Sequence, residues 1–470
     1  MTKNVFGTAA AVAILLATTG VPASAVEAIG VLNDTGQTTC YDINYNAIPC
    51  DEAGTGDDAP LPRQDPRYGR DAGAVMGNLV KIGGGEAGFD YTRICMSGEE
   101  EGQGDCPSPP PLPADLENPQ PDDWACLRDN VTGLVWTLGD WAVDVNWATA
   151  SSTADGSQIQ HANASARCGL SSGWRLPARR EANSLPNIQR HNPAVDPDYF
   201  PILANSPDPT SAVWTADRTA WHSEFQWVIS FGQDASLGTL QCRELNAAAP
   251  PCDEYPWNHT DFTASVLLVN GLWRQPPPEP PEGKALTDDE RWQTRDDGLT
   301  VNDTATGLTW DRCSWGQVGP TCVGHPTIYP DWKDAMQVAR IANEQRYKGF
   351  YDWRLPNVRE LETLVKIDGN PAIDMNVFPN TLIADDYSCY VTSSQYEPVP
   401  NISNAYWIVE FVLGTTGHIT KVNHDTDNYP NIGAVRLVRG GSGWEPFDGV
   451  SERIFWSDFD GPPSQTPVAH

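Results

Sequence analysis

Apolar and polar positions alternate in short, recurring signatures along this chain. Thr132-Gly133-Leu134-Val135-Trp136 reads as a turn followed by a half-buried strand, and Thr306-Gly307-Leu308-Thr309-Trp310 repeats it. Farther on, Asp331 is placed to cap a helix whose Trp332, Ala335, Met336 and Ala339 share one face. Pro356 suits the first turn of a second helix, with Leu355, Val358, Leu361, Leu364 and Val365 as its apolar stripe. Trp407, Val409 and Phe411 alternate, as do Val435 and Leu437, which predicts two late strands. The corresponding second helix in the first half is cut short by Leu185-Pro186. Short strands, two helices and long connections describe an α+β domain.

That domain occurs twice. Besides the turn and strand above, Gly173-Trp174-Arg175-Leu176-Pro177 matches Asp352-Trp353-Arg354-Leu355-Pro356. Asn192-Pro193-Ala194-Val195-Asp196 matches Asn370-Pro371-Ala372-Ile373-Asp374, each with a Phe-Pro after it. Trp227-Val228-Ile229-Ser230-Phe231 matches Trp407-Ile408-Val409-Glu410-Phe411, and Val266 to Gly271 matches Val435 to Gly440. Five matches in one order mean a tandem duplication.

Length and punctuation fit this reading. At roughly 150 residues per domain, 470 residues suggest about three units. Residues 1–25 read as a signal peptide: Lys3, the apolar run Val5 to Leu16, then Ala23-Ser24-Ala25 ahead of a cleavage that leaves Val26 first. Residues 26–106 form an N-terminal segment with four cysteines, and its apolar content looks thin for an independent core. Proline-rich connectors at 107–121 and 275–291 flank the first copy at 122–274; the second spans 292–446 and a tail runs from 447 to 470. No later apolar run is long enough to span a bilayer, so the expectation is a secreted or cell-surface protein without membrane insertion.

Charge and cysteines narrow the chemistry. Sixty-two acidic against 30 basic residues give a net charge of −32, which repels nucleic acid and anionic membranes. Export makes the 11 cysteines readable as a disulfide framework. Cys40/Cys50, Cys95/Cys106, Cys242/Cys252 and Cys313/Cys322 are close enough to close short loops, Cys126/Cys168 make a fifth pair, and Cys389 is left over. No cysteine or histidine spacing fits zinc. Gly83-Gly84-Gly85 precedes an acid, so it is no phosphate loop. No cofactor is expected. Calcium is the one ion the acids invite, at Asp425-Thr426-Asp427-Asn428 or Asp385-Asp386, although neither has EF-hand spacing.

The repeated motifs resemble the Lcl C-terminal domain family: the TGL-x-W turn and strand, the WRLP segment with Arg359-Glu360-Leu361 after it, the NPAI-like stretch, and the terminal Val435-Arg436-Leu437-Val438-Arg439 strand. The resemblance covers most of residues 121 to 445, and it supports the Cys313–Cys322 and Cys126–Cys168 pairings. It implies tandem C-type-lectin-like (sulfatase-modifying-factor-like) domains, disulfide-stapled, behind a loop-rich N-terminal segment. It also implies relatives that are trimeric adhesins for sulfated polysaccharides. That activity does not carry over, because the chain is acidic and the first copy has Leu267 and Asn270 where the second has Arg436 and Arg439.

The remaining candidates divide between core and surface. The repeated Trp136, Trp174, Trp227, Trp310, Trp353 and Trp407 are read as core. The pairs Arg175/Glu181 and Arg354/Glu360 are read as ion pairs that anchor a helix start to a sheet. The unrepeated Tyr387, Tyr390 and Tyr396 are the candidate ligand-binding residues, with Trp141 and Trp221 as further free aromatics. The expected function is non-enzymatic binding or adhesion to an extracellular glycan or surface protein. The alternatives are a filament or matrix subunit, in which the N-terminal segment docks on another copy, and a sulfatase-modifying-factor-like enzyme using Cys389.

Overall fold

The computed structural model describes residues 32–440 apart from 55–58, 140–144, 192, 206–211, 221–224, 233–238, 243–263, 274–287, 384–388, 397–404 and 421–432. The signal-peptide residues, Trp141, Trp221, Tyr387, both candidate calcium stretches and the tail lie outside the described residues, as does Cys252.

The N-terminal segment holds a hairpin, β1 (Cys40–Tyr41) and β2 (Ala47–Ile48), and the helix α1 (Gly69–Val75). The first copy follows with β3 (Tyr91–Cys95), β4 (Trp124–Asp129) and β5 (Val135–Thr137). Short helices α2 (Trp147–Ala150), α3 (Gln158–Ala164), α4 (Arg179–Ala182) and α5 (Pro201–Ala204) come next. Strands β6 (Ala212–Arg218), β7 (Phe225–Ser230), β8 (Thr239–Cys242) and β9 (Val269–Asn270) complete it. The second copy opens with α6 (Asp288–Arg291), β10 (Trp292–Thr294), β11 (Thr300–Asp303), β12 (Leu308–Asp311) and β13 (Ile328–Tyr329). It continues through α7 (Trp332–Glu344), α8 (Val358–Glu362), β14 (Cys389–Gln395), β15 (Ala405–Glu410), β16 (Thr416–Thr420), β17 (Gly433–Ala434) and β18 (Val438–Gly440).

The copies share one topology. The sheet β3-β4-β5-β9 of the first is matched by β10-β11-β12-β18 of the second, and β6-β7-β8 by the run β14-β15-β16. Register agrees too: Trp136 lies opposite Val269, and Trp310 opposite Val438. The turn glycines Gly133 (φ 80°) and Gly307 (φ 74°) are left-handed, which explains why each turn carries glycine. All six repeated tryptophans are buried, so they build the cores as expected.

Helix α7 matches the pattern: Asp331 accepts the Lys333 N–H at 3.0 Å, and Trp332, Ala335, Met336 and Ala339 face inward. Helix α8 is shorter than its stripe suggests. Asn357 caps it, Pro356 stands just outside it, and Leu364 and Val365 are buried beyond its end. Val435 and Leu437 are also buried, but they lie between β17 and β18 rather than within one strand.

One boundary expectation needs correction. Residues 91–95 are not part of a separate N-terminal unit, because β3 pairs with β4 along its length. The proline-rich connector at 107–121 is held against the first copy: the Trp124 N–H donates to the Pro111 carbonyl, and Arg167 donates to the carbonyls of Leu116 and Glu117. Proline removes donors but leaves carbonyls, and here the fold uses them.

The N-terminal segment does not stand alone either. It runs as a strap over both copies. On the first, Asn33 donates to Asp129 (2.6 Å) and Ser184, and the Ile188 N–H donates to the Thr35 carbonyl. On the second, Gln37 and Gln395 exchange amide hydrogen bonds, Tyr45 bonds Asp331, Gln337 donates to the Pro60 carbonyl, and Leu61 joins the core around Trp332.

The two copies meet through equivalent residues. Arg180 donates to the Val365 carbonyl, and its counterpart Arg359 donates to the Pro186 carbonyl, which is the counterpart of Val365. Trp227 belongs to the second copy's cluster with Leu361 and Ile367, while its counterpart Trp407 clusters with Ile188 of the first. On the local axis, Asn183 donates to both carboxylate oxygens of its own counterpart, Glu362, at 3.0 and 3.1 Å. The duplicated domain is therefore an internal two-fold dimer.

Candidate functional site

The hallmark ion pairs are structural anchors. Arg175 holds Glu181 through two bonds (2.6 and 2.7 Å), and Arg354 holds Glu360 through two (both 2.6 Å). Each glutamate also accepts a backbone N–H ahead of its helix, from Ala178 at 2.8 Å and Asn357 at 2.9 Å. Each arginine reaches the last strand of its sheet, at the carbonyls of Gly271 and Gly440. Both copies thus spend this pair on tying a helix start to a sheet.

The tyrosine candidates fare differently. Tyr390 is 0% exposed. Its hydroxyl bonds Ser314 at 2.6 Å and accepts the Leu382 N–H at 2.9 Å, so it belongs to the core and not to a ligand surface. Tyr396 is also buried, stacked on His418 with ring centroids 4.0 Å apart and packed against Trp407. Both sit where β14 is covered on two sides, which the lack of a repeat partner in the sequence did not reveal. Tyr387 lies outside the described residues.

The cysteine framework holds at four of its five pairs: Cys40–Cys50, Cys95–Cys106, Cys126–Cys168 and Cys313–Cys322 are bonded. Cys242 closes β8, and its proposed link to Cys252 lies outside the described residues. Cys389 is free and buried, with its thiol pushed up to about 12 by desolvation and then by Glu410. A thiol held protonated is a poor nucleophile.

One cross-link is replaced rather than repeated. In the first copy Cys168 ties a left-handed turn to Cys126, which lies opposite Thr137. The equivalent turn of the second copy carries Lys348, also left-handed, bonded to Asp311 at 2.5 Å; Asp311 lies opposite Thr300, the Cys126 counterpart. The ion pair is buried on both sides and does the disulfide's job.

Arg436 and Arg439 complete the second copy's bracing. Arg436 is fully buried and donates to the Asp311 carbonyl and the Thr381 hydroxyl, while Arg439 pairs with Asp352 at 2.7 Å. These arginines form no basic surface.

A cavity of about 50 Å³ opens where the strap meets the seam, lined by Asn33, Asp34, Asp65, Arg354, Arg359 and Glu360 among others. It has room for roughly three waters. Among the described residues, no group of three or more His, Cys, Asp or Glu side chains is arranged to hold a metal. No helix among them is long and apolar enough to cross a membrane.

The Lcl C-terminal domain model matches residues 125–247 and 299–439, the two repeats that share this topology. The chain belongs to the Lcl C-terminal domain family. Two Lcl C-terminal domains account for more than half of its length, in a mixed α+β architecture dominated by sheets and closed by disulfides. No curated protein and no solved structure matches the chain. The disulfides point away from a reducing compartment.

Proposed function

We propose that this chain is an exported, non-enzymatic binding protein in which two fused Lcl C-terminal domains form a rigid base for unlike loops. The observation that supports this most is where the shared residues go. The six tryptophans, the two Arg–Glu pairs and the seam arginines are all consumed by packing and bracing. What differs between copies is the connecting sequence, especially around residues 385–404, and loops on rigid scaffolds are where recognition is placed. The ligand class is an extracellular glycan or surface protein, and we read each repeat as C-type-lectin-like. Cys389, with its buried protonated thiol, is a poor basis for the enzymatic alternative. The test is a screen of the purified mature chain against glycan and cell-surface-protein arrays. A hit that disappears in Tyr387→Ala supports the reading; turnover of a formylglycine-type substrate that is lost in Cys389→Ser refutes it.

One observation favours the structural-subunit alternative. Val75, Met76, Val80 and Ile82 present an exposed apolar run beside the strap, with Val80 88% and Ile82 75% exposed. Electron microscopy of secreted material decides: single particles support the binding protein, and regular filaments the subunit.

A further inference from the structure

Three carboxyl groups of the strap region are buried at its seat: Asp34, Asp65 and Asp71. Asp34 accepts the N–H groups of Thr35 (3.0 Å) and Asp71 (2.9 Å), and Asp71 accepts those of Gly36 (2.7 Å) and Gly88 (2.6 Å). Asp65 differs. Besides the Thr35 side chain of the strap itself, it is bonded by the Ser394 hydroxyl at 2.6 Å, across the boundary with the second copy, and that hydroxyl in turn accepts the Val358 N–H. Asp65 thus joins strap to repeat through one side chain while lining the seam cavity.

The charges around it come from every neighbouring element. Asp34 and Asp71 stand on the strap side with Arg70, and Lys81 acts on Asp71. Glu360, Arg354 and Arg359 face it from the second copy, with Tyr68 stacked near Arg354. On the first copy, Asp129 bonds the strap through Asn33. Glu360 is already committed to Arg354, and among the described residues none of the three strap carboxyls is ion-paired.

We propose that the strap is a proton-operated latch, seated on the second repeat while Asp65 carries its proton and loosened once that carboxyl ionises. An ionised Asp65 sits buried beside Asp34 and Glu360, with the hydroxyls of Ser394 and Thr35 as its hydrogen-bond partners. Released, it is hydrated and has no such neighbours. Burial first, and Asp34 next, push Asp65 up to about 7 in the seat, against an ordinary carboxylate value of 3.8 when released. A pKa raised by folding stabilises the seat fully below the released value. That contribution is lost as pH rises toward 7 and is gone above it. The cavity lets water reach the carboxyl without unfolding either repeat. Gln37–Gln395 and Tyr45–Asp331 are the contacts that open with it.

Hydrogen–deuterium exchange of the full mature chain tests the latch. After correction for intrinsic exchange, strap peptides from residues 36–50 and 59–68 should open on the order of a hundredfold more at pH 7.5 than at pH 4.5, with a plateau above about pH 7. Peptides from β14 and β15 serve as the internal control and should stay flat. Asp65→Asn should reduce the strap's pH response severalfold, leaving the part contributed by Asp34 and Asp71, which burial also raises. Ser394→Ala removes the hydroxyl donor that the second copy offers the ionised carboxylate and should move the plateau to higher pH; it serves if the first variant fails to fold. Equal strap protection at both pH values, or a response unchanged in the folded variants, overturns the proposal.

Discussion

Replacing Glu362 by alanine strikes the seam at its axis. The carboxylate is 5% exposed and accepts Arg179 at 3.2 Å, Asn183 at 3.0 and 3.1 Å, and the Thr416 hydroxyl at 2.5 Å. Arg179 is itself buried, with its guanidinium 4.2 Å from the centre of the Trp227 ring. Removing the acid takes away the carboxylate that this cation pairs with, and breaking such a buried pair costs about 3–5 kcal/mol, although Asp217 remains as a nearby negative charge. The ring face and partial hydration offset some of this, so the expectation is a loss of about 3 kcal/mol. Glu362→Gln keeps the shape and one acceptor and should cost about half as much. Arg179→Met in the Glu362→Ala background should restore at least 1 kcal/mol, because the stranded charge is then gone. Urea unfolding followed by tryptophan fluorescence gives each value, and a separation into two transitions would show the repeats uncoupling. A loss below about 1 kcal/mol in Glu362→Ala, with a single transition kept, would mean that the seam does not rest on this charge.

Other outcomes follow from the bracing. Thr300→Cys with Lys348→Cys should form a disulfide equivalent to Cys126–Cys168, read as two fewer hydrogens in the intact mass; under reductant the variant should be about 3 kcal/mol less stable than the wild type, having lost the Lys348–Asp311 pair. Two free thiols in the oxidatively folded protein would break the equivalence. Tyr390→Phe should cost about 1–2 kcal/mol, from the lost bonds to Ser314 and Leu382, while leaving any array hit intact; loss of binding at full stability would return Tyr390 to the ligand surface. Cys389, its thiol held at about 12, should resist iodoacetamide at pH 8 in the folded chain and react once the chain is unfolded. Rapid labelling of the native protein would contradict its burial.

The parts of this fold that were legible in sequence share one property: their cause is local. Thr-Gly at a left-handed turn, Asp331 ahead of an amphipathic helix, and cysteines about ten residues apart each carry their reason within a few positions. The Arg175–Glu181 and Arg354–Glu360 pairs were legible because both partners sit within one motif. Absence from the repeat does not free Tyr390 and Tyr396: β14 buries every one of its residues, Tyr390 among them, and Tyr396 just beyond it is covered by Trp407 and His418. The strap was missed for another reason. Its core is borrowed from Leu61, Gln37 and Asp65 contacts with residues more than 270 positions away, and composition counted within a segment cannot see that. The seam left a faint trace in the arginine at the second position of each short helix, Arg180 and Arg359, which the sequence shows only as two exposed-looking charges.

The meeting of Asn183 with its own counterpart Glu362 also decides which domains find each other. Were the second repeat to pair with the second repeat of another chain, two glutamates would face each other where one carboxylate now meets an amide. Two first repeats would set amide against amide, without the Glu362 carboxylate that Arg179 now meets. Unlike halves are matched and like halves are not, so the axis selects a first repeat for a second, and the connecting polypeptide keeps the matching repeat at high local concentration. Duplication supplied the symmetry; a single changed side chain at the axis turned it into a lock that accepts one key, carried on the same polypeptide.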